Sequence, residues 1–164
     1  RVSTFNGLPV HILLVHFIVV LAPLTAILAI GASIFQPVRS RLVWLIAALA
    51  VITLILTPLT TEAGEWLEER VPETAAVEIH AELGDSMTFF SLGLVVVAAA
   101  LVFLHFRERR ESTVPRWQSL VVVLLAVVIG AATMVQVYRI GDTGATASWS
   151  DFADSQVVQE DSEE

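Results

Sequence analysis

Four long apolar stretches constrain this chain more than any other feature of its sequence. We predict membrane-spanning helices over residues 8–34, 42–60, 75–106 and 117–139. Each stretch is near or above the roughly 18–20 residues that a helix needs to cross the hydrocarbon core. A chain inside lipid must satisfy its own backbone polar groups, so these stretches have to be helical. Because the connections are short, neighbouring helices run antiparallel, and the sequence predicts an all-α, antiparallel four-helix bundle in the membrane.

The composition excludes several classes of function. The chain has no cysteine, which rules out disulfides, iron–sulfur ligation and thiolate catalysis. The net charge of −8 argues against nucleic acid as a partner. We find no glycine-rich phosphate loop, nucleophile elbow or zinc-peptidase helix motif. We therefore predict no catalytic residues, and we expect a binding, electron-transfer or accessory protein of the lipid bilayer rather than an enzyme.

The charges of the connections predict an orientation. The first connection, residues 35–41, carries Arg39 and Arg41, and the third, residues 107–116, carries four more arginines. The second connection and the tail after the fourth span are acidic, with one arginine each. Because positive connections mark the cytoplasmic side, we expect a multi-pass protein of the bacterial plasma membrane. Both termini, the acidic loop and the C-terminal tail would lie outside.

The domain organisation is simple. Residues 1–150 are predicted to form the four-helix transmembrane domain, in which two helical hairpins are the only internal symmetry visible. We expect no buried Arg, Asp or Glu inside the helices. Residues 151–164, "DFADSQVVQEDSEE", are acidic and lack a periodic apolar face, so a disordered tail is predicted.

Histidines and carboxylates converge on the outer end of the predicted bundle. His11 and His16 lie in the first span, Glu65 follows the second span, and His80 precedes the most apolar part of the third. Polar side chains at membrane depth are costly and tend to mark function. His11 and His16 are five residues apart, which turns them about 140° from each other on a helix. We therefore expect one of them to face the bundle as a ligand. The other would be a hydrogen-bonding group, a propionate partner or part of a separate site.

The segment before the third span favours a helix that begins near Thr74, a good N-cap residue. Gly84 then lies one turn from His80 on the same face. A glycine there leaves room for a flat group beside the imidazole, or it allows close packing between helices.

These residues predict two overlapping sites. Haem iron can be held by one histidine from each of two helices, so we expect haem b to be bound by His11, His16, His80 and Gly84. A transition metal would instead use His11, His16, His80 and Glu65, with the carboxylate orienting a ligand or supplying an oxygen. Interhelical hydrogen bonding without any cofactor, and proton handling, are the alternatives.

Four segments carry a resemblance to a known family: "GLPVHILLVHF", "TTEAGEWLEERV", "HAELGD" and "YRIGDTGATASW". Over about residues 5–150 the chain resembles a bacterial family of four-helix predicted membrane proteins of unknown function, in its actinobacterial-type branch. The resemblance implies that five residues are characteristic positions: His11, His16, Glu65, His80 and Gly84.

Two further points follow from the resemblance. Similar members are sometimes linked to Rieske-type iron–sulfur domains, which implies a setting of electron transfer. The chain departs from the pattern at Asp142, where the family often has a histidine. If that histidine were an essential ligand, this protein could not use the site in the same way.

Two functional hypotheses follow. The first is a small membrane protein that binds haem b or a metal in a respiratory or redox context. The second is a non-catalytic accessory or structural subunit of a larger membrane complex of the respiratory chain. Transport of protons or small ligands is less favoured, because four spans are few for a transporter.

Overall fold

The computed structural model describes residues 4–5, 7–110 and 114–163, with side chains described at residues 4, 7, 9–110 and 114–149. It confirms the predicted all-α membrane four-helix bundle, and each helix contains a stretch long and apolar enough to cross a membrane. The four helices are α1 (Val10–Ile34), α2 (Gln36–Glu68), α3 (Ala75–Arg110) and α4 (Arg116–Glu163).

A short turn precedes α1. Two-residue strands, β1 (Thr4–Phe5) and β2 (Leu8–Pro9), pair antiparallel, and Gly7 between them has a φ of 81°. This left-handed conformation favours glycine. The first helix therefore begins at Val10, two residues later than predicted.

Each helix packs along the next one in the chain, and α1 also packs against α4. The bundle is therefore a closed ring in which α1 lies diagonally opposite α3. Small side chains let the helices approach closely, as membrane helices require. The core alanines, all at most 3% exposed, are Ala22, Ala26, Ala29, Ala32, Ala50, Ala98 and Ala126. Large apolar side chains cover the outer surface, where lipid would surround them, including Phe17, Val20, Ile55, Phe89, Leu120 and Leu124.

Hydrogen bonds between helices fix how the helices are rotated. In the middle of the bundle, the hydroxyl groups of Thr57 on α2 and Ser91 on α3 lie 2.7 Å apart. The amide nitrogen of Gln136 on α4 donates to the carbonyl oxygen of Leu83 at 2.9 Å and to the hydroxyl of Ser86 at 2.7 Å. The two links hold α2 and α4 in a defined register against α3, the helix that carries His80.

The first connection differs from its prediction. Only Phe35 interrupts the helices, with an extended backbone (φ −108°, ψ 109°), and α2 begins at the next residue. Pro37 lies in the first turn of α2, where a missing N–H group is tolerated. Arg39 and Arg41, expected in a connection, are therefore helical.

The expectation of no buried arginine was wrong. Arg39 is only 3% exposed. Its Nη1 donates to the carbonyl oxygens of Ala32 at 2.7 Å and Ser33 at 3.2 Å, which are end groups of α1 without partners in their own helix. Its Nε donates to Glu108 of α3 at 3.1 Å, and Nη2 pairs with the same carboxylate. We call this group of Arg39, Glu108 and the end of α1 the arginine end. Because α2 begins directly after α1, the side chain of Arg39 can reach back over the last turn of α1.

The start of α3 agrees with the prediction from the sequence, and the end of α4 differs from it. Thr74 accepts a hydrogen bond from the backbone N–H of Val77 at 3.3 Å, so α3 begins where the N-cap predicts. The backbone of α4 continues to Glu163, through the residues predicted to form a disordered tail. No glycine or proline follows Gly144 in the chain to end the helix.

Candidate functional site

His11 lies in the first turn of α1 and is half-buried. Its Nδ1 is 2.9 Å from the backbone carbonyl oxygen of Thr60 on α2. A carbonyl oxygen only accepts hydrogen bonds, so this nitrogen carries the proton and donates. The ring is therefore held in one orientation by the neighbouring helix.

His80 on α3 is held in the same way by α4. Its Nδ1 donates to the carbonyl oxygen of Ile140 at 3.0 Å and approaches the hydroxyl oxygen of Thr143 at 3.3 Å. The hydroxyl of Thr143 itself donates to the carbonyl oxygen of Arg139 at 2.9 Å, so its oxygen is available as an acceptor for His80. In His80, as in His11, Nδ1 is therefore the ring nitrogen that donates to the neighbouring helix.

The two imidazole rings meet across the bundle. Their centroids are 6.3 Å apart and their planes are perpendicular. Because Nδ1 carries the proton in each neutral ring, Nε2 keeps its lone pair. Within the part of the chain that the structure describes, neither Nε2 makes a hydrogen bond. We call this pair the two-histidine site, and the end of the bundle that holds it the histidine end.

Two glycines make room for these rings. A Cβ atom at Gly64 of α2 would lie 3.0 Å from Cε1 and Nδ1 of His11. A Cβ atom at Gly144 of α4 would lie 2.9 Å from Cε1 of His80. Any larger residue would displace the ring it faces.

The sequence analysis missed Gly64 and Gly144. The signal was present in the spacing: each glycine follows by four residues the residue whose carbonyl oxygen accepts the histidine proton. Those residues are Thr60 in "TTEAG" and Ile140 in "IGDTG". This spacing predicts a histidine contact only once the fold shows which histidine lies against which helical turn.

His16 does not join the pair. Its side chain is exposed, and its Nδ1 donates to the carbonyl oxygen of Ile12 in the same helix. The five-residue spacing turns it away from His11, as predicted from helix geometry. Of the two histidines of the first span, His11 is the one that faces His80.

The remaining predicted residues lie around the pair without completing a ligand set. Glu65 is exposed, and Glu68, one turn nearer the end of α2, is the carboxylate that interacts electrostatically with His80. A Cβ atom at Gly84 would meet nothing within 4 Å, so close helix packing does not run through this glycine. Among the described residues, no group of three or more His, Asp or Glu side chains is arranged to hold a metal ion.

Comparison with known proteins identifies the family of the chain. No curated protein matches the chain. No solved structure matches it either. A family model described as "Predicted membrane protein (DUF2231)" matches residues 7–156, which include α1, α2, α3, most of α4 and all the residues of the two-histidine site. The chain belongs to this family of membrane proteins.

Proposed function

We propose that the protein binds a redox-active centre, haem b by preference, through His11 and His80, and that it works in membrane electron transfer. The observation that carries the proposal is the pair itself: two imidazoles from diagonally opposite helices, 6.3 Å apart, each with Nδ1 bonded to a backbone carbonyl. Pockets for cofactors in helical bundles are built from side chains on facing helices in this way.

The hydrogen bonds of the two rings suit metal ligation. A histidine that binds a metal through one ring nitrogen usually donates the other N–H to a carbonyl or carboxylate, which fixes the tautomer and raises the basicity of the ligand. His11 and His80 both have this arrangement in the structure. Nε2 is then the nitrogen available to a metal in each ring.

The separation of the rings also suits a shared ion. A bond from nitrogen to a metal is about 2 Å long, so two such bonds and two imidazole radii span about 6 Å. The observed centroid distance of 6.3 Å is close to this value. One ion between the rings would need little movement of either helix.

The number of ligands favours haem over a bare ion. Zinc and similar ions take about four ligands, and the described residues offer only the two imidazoles at this point. A porphyrin brings its own four equatorial nitrogens and requires only axial ligands from the protein. An atom added at the Cβ position of Gly84, one turn from His80, would meet nothing within 4 Å, so the chain does not block this position.

The redox context and the orientation belong to the same proposal. The chain would sit in the bacterial plasma membrane with the two-histidine site near the outer face, since the arginine-bearing connections favour the cytoplasmic side. A centre at this depth could exchange electrons with other subunits of a membrane redox complex. The resemblance to members linked to Rieske-type domains supports this setting.

One observation favours a second function. The same hydrogen bonds join α1 to α2 and α3 to α4, whether or not a ligand is present. In an accessory or structural subunit of a larger membrane complex, the histidines would serve only as such interhelical links. The two functions differ in what happens at Nε2.

The test is an absorption spectrum and elemental analysis of the purified protein, produced with excess haem. We expect a Soret band and a stoichiometric centre in the wild type. His11→Ala and His80→Ala should each remove the centre, and His16→Ala is the matched control that should retain it. Because protons compete with the metal for Nε2, the centre should be released as the pH falls. A wild type with no Soret band and no stoichiometric metal contradicts the proposal and favours the structural subunit.

A further inference from the structure

The two helical hairpins repeat a pattern of buried positions. When His80 is aligned with His11, five buried positions of α1 coincide with buried positions of α3: Ile18 with Met87, Ala22 with Ser91, Thr25 with Leu94, Ala29 with Ala98, and Ala32 with Leu101. When Gly144 is aligned with Gly64, buried positions of α2 and α4 coincide as well: Ile46 with Ala126, Ala50 with Gly130, and Thr53 with Thr133. Few of these pairs are identical, so the repeat is hardly visible in the sequence.

The repeat places the histidines in equivalent positions. α1 and α3 run in the same direction, so the hairpins are related by a rotation about an axis along the bundle, as in parallel membrane repeats. The two rings meet at 6.3 Å across this axis. Each hairpin therefore contributes one histidine and one glycine to the site.

The contact between ring and glycine has the same form in both halves. In a helix the carbonyl oxygen of residue i accepts the N–H of residue i+4, so Thr60 is paired with Gly64, and Ile140 with Gly144. A carbonyl oxygen has two lone pairs and can also accept the histidine N–H. The ring lies over this turn, and the glycine at its end supplies the space that a Cβ atom would fill.

We infer that Gly64 and Gly144 are positioning residues of the two-histidine site. Each lets one imidazole approach the neighbouring helix closely enough to donate its Nδ1–H to the backbone, which leaves Nε2 unprotonated for a ligand. The inference rests on the proposed function for its purpose, but the hydrogen bonds themselves are contacts of the structure.

The first test reads the tautomers directly. Histidine ¹⁵N NMR of the ligand-free, full-length protein in lipid bilayers should find His11 and His80 protonated at Nδ1. Gly64→Ala should change the spectrum of His11 and leave His80 unaltered, and Gly144→Ala should do the reverse. Gly141→Ala is the control, because a Cβ atom at this position would meet nothing within 4 Å. Unchanged tautomers in both Gly64→Ala and Gly144→Ala would overturn the inference.

A double-mutant cycle covers the case in which a glycine variant does not fold. If Gly64→Ala destabilises only by displacing the ring, the same change in a His11→Ala background should leave the melting temperature almost unaltered. Gly144→Ala should behave in the same way in a His80→Ala background. An equal loss with and without the histidine would mean that the glycines serve helix packing alone, and the inference would fail.

The outcomes separate this inference from the proposed function. If the wild-type protein shows the expected tautomers but binds no centre, the redox proposal is refuted and the positioning role of the glycines stands. If both glycine variants bind the centre with an unchanged spectrum, the positioning role of the glycines is refuted and the redox proposal stands.

Discussion

The two ends of the bundle use polar side chains in opposite ways. At the arginine end, Arg39 directs its guanidinium to two backbone carbonyls of α1 and to the carboxylate of Glu108, so one buried side chain joins three helices. At the histidine end, each imidazole uses one ring nitrogen to hold a neighbouring helix and leaves the other without a hydrogen bond among the described residues. Each guanidinium nitrogen of Arg39 has a partner, so this side chain acts as a structural clasp. Nε2 of each imidazole is the atom to which the proposed ligand would bind.

The largest expected effect on stability is at the arginine end. Arg39→Ala would leave the carboxylate of Glu108 half-buried without its cation and would free two carbonyl oxygens of α1. Loss of one partner of a buried pair costs about 3–5 kcal/mol. Thermal or denaturant unfolding in detergent measures this loss of stability, and Arg41→Ala, at an exposed position, is the control. Equal stability of the two variants would mean that the arginine end is not a clasp.

Gly144→Ala should come next, because the new methyl group would lie 2.9 Å from the ring of His80. Overpacking of this kind costs about 1–3 kcal/mol. Gly141→Ala on the same helix has open space and should be neutral or stabilising by up to about 1 kcal/mol, as alanine favours helix over glycine. The measurement is the free energy of unfolding of the two variants. A similar loss of stability in both would refute the claim that contact with the ring of His80 causes the effect.

Ser91→Ala should have the smallest effect of the three. It removes one bond between α2 and α3, but the hydroxyl of Thr57 keeps the carbonyl oxygen of Thr53 as a partner at 2.8 Å. Hydrogen bonds between membrane helices average about 0.6 kcal/mol. Unfolding compared with the exposed Ser40→Ala tests this value, and a loss as large as that of Arg39→Ala would show that the middle of the bundle, not its end, holds the helices together.

The fold was predictable because membrane spans depend on length and apolar composition alone. The four spans and the cap at Thr74 are local properties of the sequence, and both agree with the structure. Arg39 was not predictable in the same way. Its charge placed it in a connection, and only the abrupt junction at Phe35 lets it reach back into α1.

The site was predictable in part. The five-residue spacing separated His11 from His16, but it could not say which of them faces His80, because that depends on the rotation of α1 against its neighbours. Glu65 was predicted from its place after the second span and from the resemblance, but its side chain is exposed in the structure. The importance of Gly64 depends on a contact with α1 that no local pattern contains.

The central claim is that a ligand completes the histidine end, and one measurement tests it most directly. Electron paramagnetic resonance of the oxidised, haem-loaded protein should give the low-spin signal of iron with two imidazole ligands. His11→Ala and His80→Ala should each convert it to a high-spin signal or abolish it, while His16→Ala keeps it. A low-spin signal that survives both substitutions, or a purified protein that takes up no haem, would contradict the account.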